Sequence, residues 1–215
     1  MRRGILAAAL VLLAAPAAAQ QRHLGAPVYD TEAETTHRQI SWDDFKSRAT
    51  GRGLSRWGEW VLLATRLRLG GYEIGTRRED GGEWVATATG LRPYAMMEKL
   101  LSGASSGGRT KSSLAHQQRL FDLAEAQARR LAAELVGATG RGELPYDAEQ
   151  DLRYQIDTAF DRAQRELTDL QQRYTDETRG GEDRAEERRW AEEIARMFDE
   201  ATAALAAALG EGGDP

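Results

Sequence analysis

No cysteine occurs among the 215 residues. That absence excludes disulfide staples, thiolate metal sites and a lipid anchor on a cleavage-site cysteine. Histidine is almost as scarce, with 3 in the chain, so the supply of imidazole ligands is small from the outset. No basic stripe interleaved with aromatics is present and the net charge is -5, so nucleic acid is not an expected partner. Nor is there a Ser-His-Asp arrangement or a phosphate loop; Gly81-Gly82 and Gly107-Gly108 read as turn and loop glycines without phosphate-loop context. Long apolar runs are also missing. The N-terminal one, Ile5 to Leu13, falls short of the roughly 20 residues that span a bilayer.

That short run has its own meaning. Arg2 and Arg3 precede it and Ala17-Ala18-Ala19 follows, the pattern of a cleaved signal peptide over residues 1–19. The expected location is periplasmic or secreted, with no stable membrane anchor after cleavage. About 195 residues then remain, enough for one domain with its own core. Residues 20–39 are polar and aperiodic and read as a flexible lead-in; residues 40–209 are the domain, and 210–215 a disordered tail. Trp42 and Phe45, three apart in a turn-like stretch, read as anchors onto the core.

Three stretches have strand character: Trp60 to Leu69, Tyr72 to Arg78 and Glu83 to Leu91. Gly70-Gly71 and Asp80-Gly81-Gly82 separate them, which predicts an antiparallel meander with one buried face. Ser102 to Ser113 reads as a mobile Gly/Ser loop. Helices follow. Leu114, Phe121, Ala124, Ala128, Leu131 and Leu135 make one stripe, ended by Gly137 to Gly142. Asp147 with Gln150 has capping-box spacing after Pro145, before a stripe of Leu152, Ile156, Phe160, Ala163, Leu167, Leu170 and Tyr174. Gly180-Gly181 stops that helix. Asp183 with Glu186 opens a last one carrying Trp190, Ile194, Met197, Ala201 and Leu205. The expected class is α+β, a short antiparallel meander followed by a three-helix array.

Three segments carry a resemblance. His116-Gln117-Gln118-Arg119-Leu120-Phe121-Asp122-Leu123-Ala124-Glu125, then Ala128-Arg129-Arg130-Leu131, resembles the helix of a family of bacterial secreted zinc-dependent proteases catalogued as domain of unknown function 922. There the segment reads approximately His-Glu-Gln-x-His-Phe-Asp-Ile-Ala-Glu, then Ala-Arg-x-Leu. Ser41 to Lys46 resembles its opening Trp-x-Asp-Phe motif, and Tyr174 to Gly181 with Arg188 to Trp190 resembles its Tyr-Asp-x-Glu-Thr-x-His-Gly…Gln-x-x-Trp segment. The resemblance runs from about Ile40 to Phe198 and implies a zincin-like fold with zinc as the family's cofactor.

It also implies that the chemistry is gone. In such proteases two histidines one helical turn apart bind zinc, and the glutamate beside the first is the general base. His116 matches the first ligand. Gln117 stands at the general base, and an amide has no useful basicity at neutral pH. Leu120 stands at the second ligand and Gly180 at the third, and neither can bind a metal. His23 and His37 fall in the lead-in, away from this motif. Asp122 and Glu125 read as salt-bridge partners for Arg119, Arg129 or Arg188. The charged run Arg179 to Arg189 reads as a solvated helix start, and Tyr174, Trp190 and Phe198 as core. The expected function is a non-catalytic binding or scaffold module with a peptide or protein partner in the former substrate groove. The alternatives are an active metal-dependent peptidase with a non-standard site, and a helical interaction protein pairing through the Asp147 to Thr178 helix.

Overall fold

The computed structural model describes residues 29–47 and 60–211, so the signal-peptide reading and residues 212–215 of the tail lie outside it. In chain order the elements are β1 (Glu34–Thr36), a 3-10 turn (Trp42–Asp44), β2 (Val61–Leu62), β3 (Thr65–Leu69), β4 (Glu73–Arg78), β5 (Trp84–Thr89), β6 (Pro93–Glu98) and β7 (Gly103–Ala104). Then come α1 (Lys111–Leu135), β8 (Thr139–Gly142), α2 (Pro145–Glu177) and α3 (Arg184–Glu211). The class is α+β, with antiparallel sheets and three helices, as the periodicities require.

The sheets are not the expected meander. β3 and β4 do not pair with each other; β3 pairs with β6, with Leu67 opposite Ala95, and β1 covers the other edge of β6. β4 and β5 form the expected hairpin, and β8 adds to it with Gly142 opposite Trp84. β2 and β7 make a separate two-stranded piece. The reason lies in β6, Pro-Tyr-Ala-Met-Met-Glu, which is buried at all but its last residue. A strand covered on both faces shows no polar alternation, and it captures β3 where a meander would have offered β4.

The lead-in is also partly built into the fold. Residues 29–39 supply β1, and Thr35, Thr36 and His37 are buried. Buried Lys99 holds this segment, donating to Asp30 and to the Thr31 carbonyl and lying 3.3 Å from Asp44. Phe45 is buried and Trp42 packs beside it with ring centroids 5.0 Å apart, as anchors should.

Ser102 to Ser113, expected to be mobile, is tied down by its own small residues. Ser102 Oγ accepts from the Ala64 N–H at 2.9 Å, Ser105 Oγ accepts from the Trp60 N–H at 2.9 Å, and Thr110 caps α1 by accepting from the Ser113 N–H. β8 shows the same use of smallness. A methyl group on Gly140 would lie 2.0 Å from the Ala148 carbonyl oxygen, so this short strand can rest on the first turns of α2 only without side chains there. The expected capping box at Asp147 is absent: α2 begins at Pro145, and its N-cap Leu144 makes no side-chain cap. Proline's fixed φ and missing N–H serve that start instead.

α1 is the central element, packed against α3, α2 and β6. From Leu123 to Arg129 every residue is buried, which a one-sided stripe would not require. The α2 stripe holds, with Leu152, Ile156, Leu167 and Tyr174 fully covered, and α3 buries Trp190, Ile194, Ala201 and Leu205. Gly210, read as the start of the tail, is still in α3. Among the described residues no helix is long and apolar enough to cross a membrane.

Candidate functional site

α1 delivers His116, Gln117 and Leu120 to one end of the molecule, and the turn between α2 and α3 delivers Gly180. All four line a single cleft of about 780 Å³. Its remaining walls are Trp60 to Leu63, Gly107 to Ser113 in part, and the Thr168, Gln171, Gln172 and Thr175 face of α2. Spacing explains the helical part: residues four apart stack on one helix face, so His116 and Leu120 look the same way. The α2–α3 turn folds back over them. Thr178 is buried, and its hydroxyl donates to the Tyr174 carbonyl at 2.7 Å. Arg179, Gly180 and Gly181 then all take positive φ. At Gly181 a methyl group would sit 3.2 Å from His116 Cβ and Cγ, so glycine lets the turn close against the imidazole.

His116 is 2 % exposed and stacks on Tyr174 with ring centroids 4.6 Å apart. Its Nδ1 lies 2.6 Å from Oε1 of Glu187. A carboxylate can only accept, so Nδ1 carries the hydrogen and the lone pair is left on Nε2. Nε2 has no hydrogen-bond partner among the described residues, and His116 lines the cleft. Burial lowers the His116 pKa, against the opposing hydrogen bond to Glu187, so the ring is neutral at neutral pH.

Glu187 organises this cluster. The Tyr174 hydroxyl donates to both its oxygens, at 2.9 and 3.1 Å, and Arg119 pairs with Oε2. Burial, with the Glu187 charge beside it, pushes the Tyr174 hydroxyl far above its usual pKa, so it remains a donor. Trp190 meets Tyr174 edge-on at 5.4 Å and donates from Nε1 to Glu177 at 2.8 Å. That bond, with Arg189, holds Glu177 below the usual carboxylate range.

Glu187 lies inside Arg179 to Arg189, a run that reads in the sequence as solvated. The signal was there: Glu187 precedes Trp190 by three and Ile194 by seven, placing it on the buried stripe of α3. Its neighbours fit the solvated reading, since Arg184, Ala185, Arg188 and Arg189 are exposed. Glu125 pairs with Arg129 at 3.0 Å as the spacing predicts. Among the described residues Asp122 does not pair with arginine. It accepts from His37 at 2.8 Å and from Gln118 at 2.8 Å. His37, expected in a flexible segment, is 3 % exposed and packs edge-on against Phe121. His23 lies outside the described residues.

The residues present do not fit zinc. Among the described residues no group of three or more His, Cys, Asp or Glu side chains converges. The cleft offers one imidazole, and the other groups at the positions in question are a carboxamide, an alkyl chain and bare backbone. Glu182 is the one carboxylate among the lining residues. The carboxylates that could substitute are spent elsewhere: Asp122 on His37, Glu125 on Arg129, Glu177 on Trp190. What the cleft can do is exchange hydrogen bonds. Gln171 is already committed, donating to the Leu120 carbonyl and Thr65 Oγ1. Gln117 is not: it is 7 % exposed and its Oε1 has no partner among the described residues. No family model, curated protein or solved structure matches this chain.

Proposed function

We propose that this chain is an exported, non-catalytic binding module, built on a zincin-like scaffold, whose cleft takes a peptide segment of a partner. The observation that carries the reading is the convergence of His116, Gln117, Leu120 and Gly180 on one cleft. Those are the four positions at which the resemblance to secreted zinc-dependent proteases places ligands and base. A chance similarity of motifs would have no reason to bring residue 180 to the same cavity as residues 116 to 120. The carboxylate behind Nδ1 of His116 adds support, because metal-bound histidines are oriented by such a partner on the far ring nitrogen. Without further ligands that orientation no longer holds a metal, but it still presents Nε2 to a guest. A cleft of about 780 Å³ falls within the usual range for ligand sites.

The test restores the missing groups together in Gln117→Glu, Leu120→His and Gly180→His. A Cβ atom at Gly180 would meet nothing within 4 Å, and histidine is among the residues that tolerate positive φ. The triple variant is expected to take up zinc stoichiometrically, while the native chain hydrolyses no peptide with or without added zinc. Failure of a folded triple variant to bind zinc would count against the shared architecture. Chelator-sensitive peptide hydrolysis by the native chain would overturn the non-catalytic reading.

A further inference from the structure

The chemistry of the cleft floor narrows what the guest can be. His116 Nε2 is a lone-pair acceptor without a partner among the described residues, fixed in that tautomer by Glu187. Gln117 follows it with a buried carboxamide oxygen that has no partner among the described residues, and turning the last side-chain bond exchanges that oxygen with the amide nitrogen. Adjacent residues therefore offer two acceptors and one donor, the complement of an amide chain. Charge selection is weak, because the lining residues include one acidic side chain, Glu182, and one basic one, Arg184. Trp60 to Leu63 provide an apolar wall that side chains of either kind could cover.

We propose that the cleft recognises the main chain of an uncharged, extended peptide, with a peptide N–H donating to His116 Nε2 and a second amide unit meeting the Gln117 carboxamide. The proposal rests on the binding-module reading and adds the chemistry of the guest. It carries a consequence. Protonating His116 converts its acceptor into a donor, so acidification expels the peptide. The groups facing that ring are Glu187 from α3, Arg119 on α1, Tyr174 from α2, and Glu182 and Arg184 at the rim. Glu187 favours the charged ring through its hydrogen bond and its charge, and Arg119 opposes it only weakly, but burial is the largest cause and keeps the ring neutral until the pH falls below the ordinary histidine value. Below the His116 pKa, affinity drops by about tenfold per pH unit, the slope of one linked proton.

The experiment titrates the folded mature chain with the capped peptide acetyl-Ala-Ala-Ala-amide, followed by nuclear magnetic resonance. Backbone amides of Thr175 and Gly180 report occupancy of the cleft, and the His116 Nε2 nitrogen reports the contact itself. Maltotriose, a neutral ligand rich in hydroxyls, serves as the competing chemistry. The expected result is saturable shifts of all three probes with the peptide near neutral pH, loss of binding on acidification, and no saturable response to maltotriose. His116→Gln keeps an acceptor that does not titrate, so its peptide binding should be flat with pH. Glu187→Gln, the second variant, frees the tautomer and should weaken peptide binding at neutral pH. If the cleft amides shift but Nε2 does not, or if His116→Gln retains the same pH profile, this inference fails while the binding-module reading stands. An equal response to maltotriose also defeats it. If no cleft amide responds to the peptide, the peptide-binding reading falls together with the inference.

Discussion

Replacing Glu187 by alanine removes the acceptor of three donors at once. Tyr174 and His116 are buried, so their hydroxyl and Nδ1–H would be left without partners. Arg119 is about a quarter exposed and can turn toward water, so its loss counts for little. A buried donor left unpaired costs about 1–3 kcal/mol, and two of them set the expected destabilisation at about 3 kcal/mol. For a domain of this size each kcal/mol moves the midpoint by about 2–4 °C, so Tm should fall by about 6–12 °C. The assay is thermal unfolding followed by circular dichroism at neutral pH. Glu186→Ala is the control: Glu186 pairs on the surface with Arg189, and its loss should cost less than about 1 kcal/mol. If Glu187→Ala unfolds no earlier than Glu186→Ala, Glu187 is not the organising group described above.

Three further outcomes follow from the same geometry. Because burial holds the His116 pKa below its unfolded value of about 6.5, the unfolded chain binds the proton more readily. Stability should therefore decline as pH falls from about 6.5 through the folded pKa, and less steeply in His116→Gln, as read by denaturant midpoints. Gly140→Ala forces a methyl group into the Ala148 carbonyl and should cost about 1–3 kcal/mol or more, whereas Gly71→Ala, which meets nothing within 4 Å, should be near neutral; chemical denaturation compares the two. His37→Ala deletes the ring between Phe121 and Asp122 and should cost about 2 kcal/mol, with faster proteolytic cleavage near residues 29–39.

Helices and strands were unequally legible. The stripes of α2 and α3 could be read directly, because one apolar face against solvent leaves a period of 3.6 in the sequence. β6 could not, since burial on both faces erases alternation, and Pro93 with two methionines gives little strand character. Strand partners followed from that omission: without β6, β3 had no visible neighbour except β4. Glycine was ambiguous in a physical way. Gly140 and Gly142 were read as breaking a helix, whereas they permit a strand to touch α2. At the cleft, His116, Gln117, Leu120 and Gly180, grouped in the sequence by the resemblance, line one cavity. Glu187, which sets the tautomer of His116, was hidden by the arginines and glutamates around it. A charge on a buried stripe differs from its neighbours only in register.

Among the described residues His116 is the one imidazole lining the cleft, and metal content tests most directly whether it can hold an ion. Protein purified without chelator should contain no stoichiometric divalent metal by plasma mass spectrometry, and calorimetric titration with zinc should show no tight site. One tightly held zinc per chain, lost together with binding in His116→Gln, would contradict that expectation.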